Sequence, residues 1–185
     1  MIQLYQKIKQ LTVLTFFLEH PYTAYYLREL ARVLHMDPMT VKRSLDIFVA
    51  DNLVLRTKEK NQILYKTHME NPAVRYLKIS YNLSWLQKKR VSDFLIHHMN
   101  SVSSILLYGS YAKGENDDQS DIDFLVISLS KHSPTVELST LLKHDVNLFS
   151  FTPAEWSQQA KNNKAFYLEV ILDGIVLYGT KPVTQ

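Results

Sequence analysis

Four residues in the C-terminal half have the types and spacing to handle a phosphorylated ligand: Gly109, Ser110, Asp121 and Asp123. Ser104–Tyr108 is a short apolar run that reads as a buried strand and ends at Gly109-Ser110. A strand that passes into a helical turn at Gly-Ser presents backbone N–H groups to an anion. Glycine lets the backbone come close, and Ser110 adds a hydroxyl donor. Lys113, in the brief turn Tyr111–Gly114, offers a cation to the same phosphates. After the polar loop Glu115–Ser120, the run Asp121-Ile122-Asp123 opens a second apolar strand that extends to Ile127. Carboxylates two residues apart on a strand share one face. Such a pair suits Mg²⁺, which keeps several waters and takes its other ligands from substrate phosphates. Without a cation, two carboxylates on a buried strand are costly. The chemistry expected is a phosphoryl-type displacement in which the metal and Lys113 neutralise developing charge.

Ten residues separate Ser110 from Asp121. On that spacing, and on an apolar strand beside each half, the stretch LLYGSYAKGENDDQSDIDFLVI resembles the polymerase-β-like nucleotidyltransferase superfamily, and within it the minimal nucleotidyltransferases. The resemblance implies that Gly109, Ser110 and Lys113 bind the nucleotide and that Asp121 and Asp123 bind the metal. It also implies a third carboxylate on a later strand, which completes the metal site and helps deprotonate the attacking hydroxyl. The candidate strand is Asp145–Phe151, and it carries Asn147 at that position. Asn can ligate through its carbonyl but is no general base. Asp145 is on the same strand face, one pleat away, as a substitute. The catalytic set is therefore Asp121, Asp123 and either Asp145 or Asn147. The resemblance implies transfer of AMP from ATP to a hydroxyl acceptor. Some members modify a protein partner, a helical HEPN-type toxin, and others modify aminoglycosides.

Several elements must hold this constellation in place. Thr152-Pro153-Ala154-Glu155 reads as a capping box that starts a helix after the third strand. Tyr167–Gly179 resembles the closing helix and last strand of the minimal nucleotidyltransferase fold, with the turn at Asp173-Gly174, and is read as structural. Asn162-Asn163-Lys164 reads as a solvated loop. Upstream, residues 71–99 form a helical connector whose Lys88-Lys89-Arg90 cluster reads as a solvated face. His97-His98 lacks the i,i+4 spacing of a helical metal pair.

The first 70 residues carry a different pattern. Leu4, Ile8, Leu11, Leu14 and Phe17 fall at helical spacing before His20-Pro21. Leu27, Leu30, Ala31 and Leu34 mark a second helix. Asp37-Pro38 then caps a third, with Val41, Leu45, Phe48 and Val49 on its apolar side. Residues 53–57 and 63–67 read as strands joined by the charged loop Lys58–Gln62. The segment YLRELARVLHMDPMTVKRSLDIFVADNLVLRTKEKNQILYK resembles a winged helix-turn-helix domain. The resemblance implies double-stranded DNA as a partner. Thr40, Lys42, Arg43 and Asp46 would face the major groove, and Lys58 and Lys60 would sit on the wing. Lys and Arg contact phosphates, and Arg also reads guanine edges.

Composition is consistent with two units. The 185 residues are 46% hydrophobic, enough for real cores. There is no cysteine, which excludes disulfides and thiolate metal sites and leads to an expectation of the cytoplasm. No apolar run is long enough to span a bilayer. Residues 1–70 carry net charge +3, residues 71–99 carry +4 and residues 100–185 carry −4, so the front is basic and the back acidic. The expected fold is α/β (α+β): a winged helix-turn-helix at 1–70, a connector at 71–99 and a nucleotidyltransferase domain at 100–185. A Mg²⁺- and ATP-dependent transferase fused to a DNA-binding domain is the first expectation. A transcriptional regulator whose transferase-like domain senses nucleotide is the second. A homodimer is expected because such regulators read paired half-sites.

Overall fold

In the computed structural model of the chain, residues 7–129 and 133–184 are described. The chain divides into two compact units, Met1–Ser84 and Trp85–Gln185.

In the first unit, α1 (Lys9–Glu19), α2 (Leu27–Val33) and α3 (Pro38–Ala50) surround a core that includes Val13, Phe17, Leu30, Val41 and Leu45, all fully buried. Burial of each such side chain contributes about 1.5–3 kcal/mol. Leu4, the first residue of the α1 pattern, lies outside the described residues. Asp37 caps α3 as expected, accepting from the N–H groups of Met39 at 2.9 Å and Thr40 at 3.2 Å. The hairpin is β2 (Val54–Glu59) and β3 (Gln62–Thr67). It is tighter than the five-residue loop expected at Lys58–Gln62. The ladder continues through Lys58↔Ile63 and Glu59↔Gln62, leaving a two-residue turn in which Lys60 takes a left-handed φ of 53°. Continued ladder hydrogen bonds outweigh the solvation of the charged run. A two-residue strand, β1 (Tyr25–Tyr26), is an addition to the sequence reading, pairing with β3 through Tyr25↔Tyr65 and Tyr26↔Leu64. Helix α4 (Pro72–Lys88) packs its N-terminal part on this unit. From it Lys78, which is 1% exposed, donates to the Leu18 carbonyl at the end of α1, where helix carbonyls lack internal partners.

In the second unit, α5 (Val91–His98) precedes β4 (Ser104–Tyr108), a strand buried at every position. Then come α6 (Gly109–Lys113), β5 (Ile122–Ile127), α7 (Thr135–Leu142), β6 (Val146–Phe151), α8 (Pro153–Asn162), α9 (Lys164–Asp173) and β7 (Ile175–Gly179). The sheet order is β6-β5-β4-β7. β4 pairs antiparallel with β5 and β7, and β5 pairs parallel with β6 after a crossover that contains α7. Helices α8 and α9 cover one face through Trp156, Phe166, Tyr167 and Val170. The capping box is present: Thr152 Oγ1 accepts from the Glu155 N–H at 3.2 Å, and Glu155 Oε2 accepts from the Thr152 N–H at 2.8 Å. Asn162-Asn163-Lys164 is not a loop. Asn163 caps α9 by accepting from the Phe166 N–H at 3.4 Å, so one short side chain ends α8 and starts α9. Helix α7 is an addition to the sequence reading.

No helix among the described residues is long and apolar enough to cross a membrane.

Candidate functional site

The site lies where β4 ends and β5 begins. Gly109 follows β4 with φ 68°, a region that L side chains rarely adopt. A Cβ built on Gly109 would come within 2.1 Å of Asp123 Oδ2, so the glycine makes room for the carboxylate itself. The register pairs Tyr108 with Asp123 across β4 and β5, and this brings the two halves of the motif together. Ser110 is partly exposed on α6, and its carbonyl accepts from the Glu115 N–H at 2.9 Å.

Asp121 and Asp123 occupy the mouth of β5, not its interior. The strand starts at Ile122; Asp121 is exposed and Asp123 half-buried. This answers the cost expected for carboxylates inside an apolar strand: water still reaches them. Burial holds the Asp123 carboxyl above the ordinary carboxylate range. The Asn147 hydrogen bond opposes the shift, the charges of Asp121 and Glu169 add to it, and Lys113 opposes it. Burial, then the charges of Asp123 and Glu169, raise the neighbouring Tyr108 hydroxyl as well.

Asn147 and Asp145 part ways. Asn147 lies across the parallel ladder from Asp123, and its Nδ2 donates to Asp123 Oδ1 at 2.9 Å and to Asp121 Oδ2 at 3.4 Å. Asp145 precedes β6; its carbonyl accepts from the Ile122 N–H at 2.9 Å. Its side chain lines a separate groove of about 570 Å³ with Ser120, Ser139, Lys143 and His144. Among the described residues no three His, Cys, Asp or Glu side chains gather into a metal cluster. Asp145 is thus not brought to the pair, because the strand expected to carry it begins one residue later.

Lys113 is held by α9: its Nζ lies 2.9 Å from Glu169 Oε1 and 3.3 Å from Asp173 Oδ2. Hydrogen bonding to Glu169, opposed by burial and supported by Asp173, raises its pKa. The closing helix, read from sequence as structural, therefore places two carboxylates on the site's lysine. Glu169 and Asp173 are four apart on one helix face, a spacing visible in the sequence, but nothing there links them to Lys113. Tyr111, on the same turn as Lys113, has its hydroxyl pushed up to about 12 by burial.

Two carboxylates at a strand mouth, a glycine whose Cβ position one of them fills, and an Asn that can turn its carbonyl oxygen inward make a hard-oxygen donor set that fits Mg²⁺ shared with nucleotide phosphates.

In the first unit, Thr40, Lys42 and Arg43 lie on α3, with Lys42 Nζ 2.7 Å from Asp46 Oδ2. Lys58 is on β2 and Lys60 at the hairpin turn. The hairpin, α2 and α3 enclose a groove of about 830 Å³, and of these residues only Lys42 and Asp46 line it.

A family model described as polymerase beta, nucleotidyltransferase matches residues 89–182. Two Methanocaldococcus jannaschii proteins, each described as a proposed protein adenylyltransferase, are similar to this chain. One is 30% identical over 98 residues, spanning 50% of this chain and 98% of that protein. The other is 35% identical over 71 residues, spanning 37% of this chain and 58% of that protein. A solved toxin–antitoxin complex with AMP-PNP shares 22% identity at a TM-score of 0.38, covering 49% of this chain and 72% of that one. With its family match extending over half its length and a relative aligned almost end to end, the chain belongs to the polymerase beta nucleotidyltransferase family.

Proposed function

We propose that the second unit transfers AMP from ATP to a hydroxyl on a protein, with a HEPN-type toxin as partner, and that the first unit is a winged helix-turn-helix that binds DNA. The observation that carries the transferase reading is the fit of the Asp123 carboxylate into the space a Gly109 side chain would fill. It joins the glycine turn and the acidic pair into one site. The protein acceptor is supported by the descriptions of the M. jannaschii relatives, and the toxin partner by the resemblance of the motif. In this reading Gly109 and Ser110 hold the triphosphate, Asp121 and Asp123 would hold Mg²⁺, and Asn147 keeps the two carboxylates together. Mg²⁺, when bound, supplies charge neutralisation at the phosphates. Lys113 meets the nucleotide only if it is shared with, or released by, Glu169 and Asp173. The first unit is proposed to act as a homodimer on paired half-sites, which would suit control of the protein's own operon.

A second reading is favoured by one specific observation. Asn147 cannot act as a base, and no third carboxylate joins the pair among the described residues. The second unit would then bind nucleotide as a signal without turning it over.

The test is incubation with Mg²⁺ and ATP labelled on the α-phosphate, with and without the product of the neighbouring gene, beside an Asp121→Ala, Asp123→Ala control. Label on protein that disappears in the control establishes the transferase. Binding that is lost in the control, without transfer, establishes the sensor. No binding of any nucleotide defeats both.

A further inference from the structure

The groove of about 830 Å³ in the first unit carries among its lining residues Arg28, Glu29 and Arg32 of α2, Lys42 and Asp46 of α3, and Arg56 of β2. The charges separate into two groups. Glu29 Oε2 accepts from the Tyr26 N–H at 3.3 Å, so the α2 N-terminus already uses this carboxylate. Asp46 is paired with Lys42 at 2.7 Å. Arg28, Arg32 and Arg56 form no ion pair with any other described residue, and all three are exposed.

Their placement is concerted. Arg28 and Arg32 are four apart on α2, hence on one helix face. Arg56 and Lys58 are two apart on β2, hence on one strand face, and their cross-strand partners are Tyr65 and Ile63, both groove residues. Three arginines from two elements therefore line one concavity, and each guanidinium is a forked donor set that matches phosphate oxygens.

We propose that this groove seats the phosphodiester backbone of double-stranded DNA, with Arg28, Arg32 and Arg56 as its phosphate contacts. The inference rests on the DNA-binding reading of the first unit and moves its electrostatic centre. The exposed residues expected from sequence, Arg43 on α3, Lys58 on β2 and Lys60 at the hairpin tip, lie outside the groove. Lys42 enters it already neutralised by Asp46.

The experiment is fluorescence anisotropy of the full chain with a labelled 20-bp duplex across a salt series. It compares the wild type, the Arg28→Ala, Arg32→Ala, Arg56→Ala triple variant, and a charge-matched Lys143→Ala, Lys161→Ala, Lys164→Ala variant. Thermal unfolding confirms that each is folded. The expected result is a loss of at least about tenfold in affinity for the arginine variant at low salt, with the slope of log K against log salt falling by about 1 per arginine, while the lysine variant stays near wild type. A folded arginine variant that binds like the wild type overturns the groove assignment and leaves the DNA reading standing. A wild type that binds no duplex at low salt defeats that reading and this inference together. A separate arm titrates ATP in EDTA against the Asp121→Ala, Asp123→Ala background with and without the three arginine changes. Arginine-dependent ATP binding without duplex binding would overturn the proposal in favour of a free nucleotide.

Discussion

Asn147 Nδ2 lies 2.9 Å from Asp123 Oδ1, directly across the parallel ladder, and the same amide reaches Asp121 Oδ2 at 3.4 Å. One neutral side chain thus holds two like charges together, and this defines how the site should respond to change.

Asn147→Asp places a third carboxylate against the pair. In EDTA the repulsion should lower stability by about 1–3 kcal/mol. Added Mg²⁺ should then raise the Tm of the variant more than that of the wild type, because a cation that binds only the folded state stabilises it by mass action. Differential scanning fluorimetry with and without Mg²⁺ reads both effects; equal Mg²⁺ shifts in the two proteins would contradict the assignment.

Gly109→Ala should be disruptive out of proportion to its size. The left-handed φ costs about 1 kcal/mol for alanine, and the new Cβ would stand 2.1 Å from Asp123 Oδ2, so the carboxylate must move. The expected outcome is a modest fall in denaturant midpoint together with loss of Mg²⁺–ATP binding. Normal nucleotide affinity in this variant would show that Asp123 is not where the ligand sits.

Asp121→Ala and Asp123→Ala should each lower nucleotidyl transfer by about 100-fold or more, since charge-stabilising groups at a transfer centre contribute on this scale. Asp145→Ala, by contrast, should leave transfer within about threefold, because its side chain lines a different groove. Single-turnover assays with α-labelled ATP separate the two classes.

Lys113→Met removes the partner of Glu169 and Asp173. These carboxylates are 41% and 47% exposed, so solvent screening keeps the loss below about 1 kcal/mol at neutral pH. The folded-state pKa of Lys113 is raised, so its contribution is complete below the unfolded lysine value and disappears as pH rises through the folded one. The stability gap between wild type and variant should therefore narrow at strongly alkaline pH, as followed by urea unfolding.

Asp117 gives the opposite sign. The Ser120 hydroxyl, 2.8 Å away, holds its carboxyl below the ordinary range. Its contribution is present above the unfolded carboxylate pKa and lost as pH falls through the folded value. Ser120→Ala should reduce stability at neutral pH and converge with the wild type in acid, again by urea unfolding.

Features that depend on local chemistry are legible in the amino-acid sequence. Gly-Ser at a strand end, the acidic pair ten residues on, and the caps at Asp37 and Thr152 are written in short local stretches, and the resemblance to the family rests on them. Periodicity gave α1, α2 and α3, because a buried helix face repeats every three to four residues. Features that depend on register and on distant parts of the chain emerge only in the fold. Whether Asn147 or Asp145 meets the acidic pair turns on the ladder between β5 and β6, which sets Asn147 opposite Asp123 and leaves Asp145 before the first residue of β6. Lys113 meets Glu169 and Asp173 because α9 packs beside α6, a contact across more than fifty residues that no local pattern encodes. Strand β1 is too short for its two residues to carry a period, and it exists only through its ladder with β3. The arginine groove is of the same kind, since Arg28 and Arg56 are neighbours only after the hairpin folds back against α2 and α3.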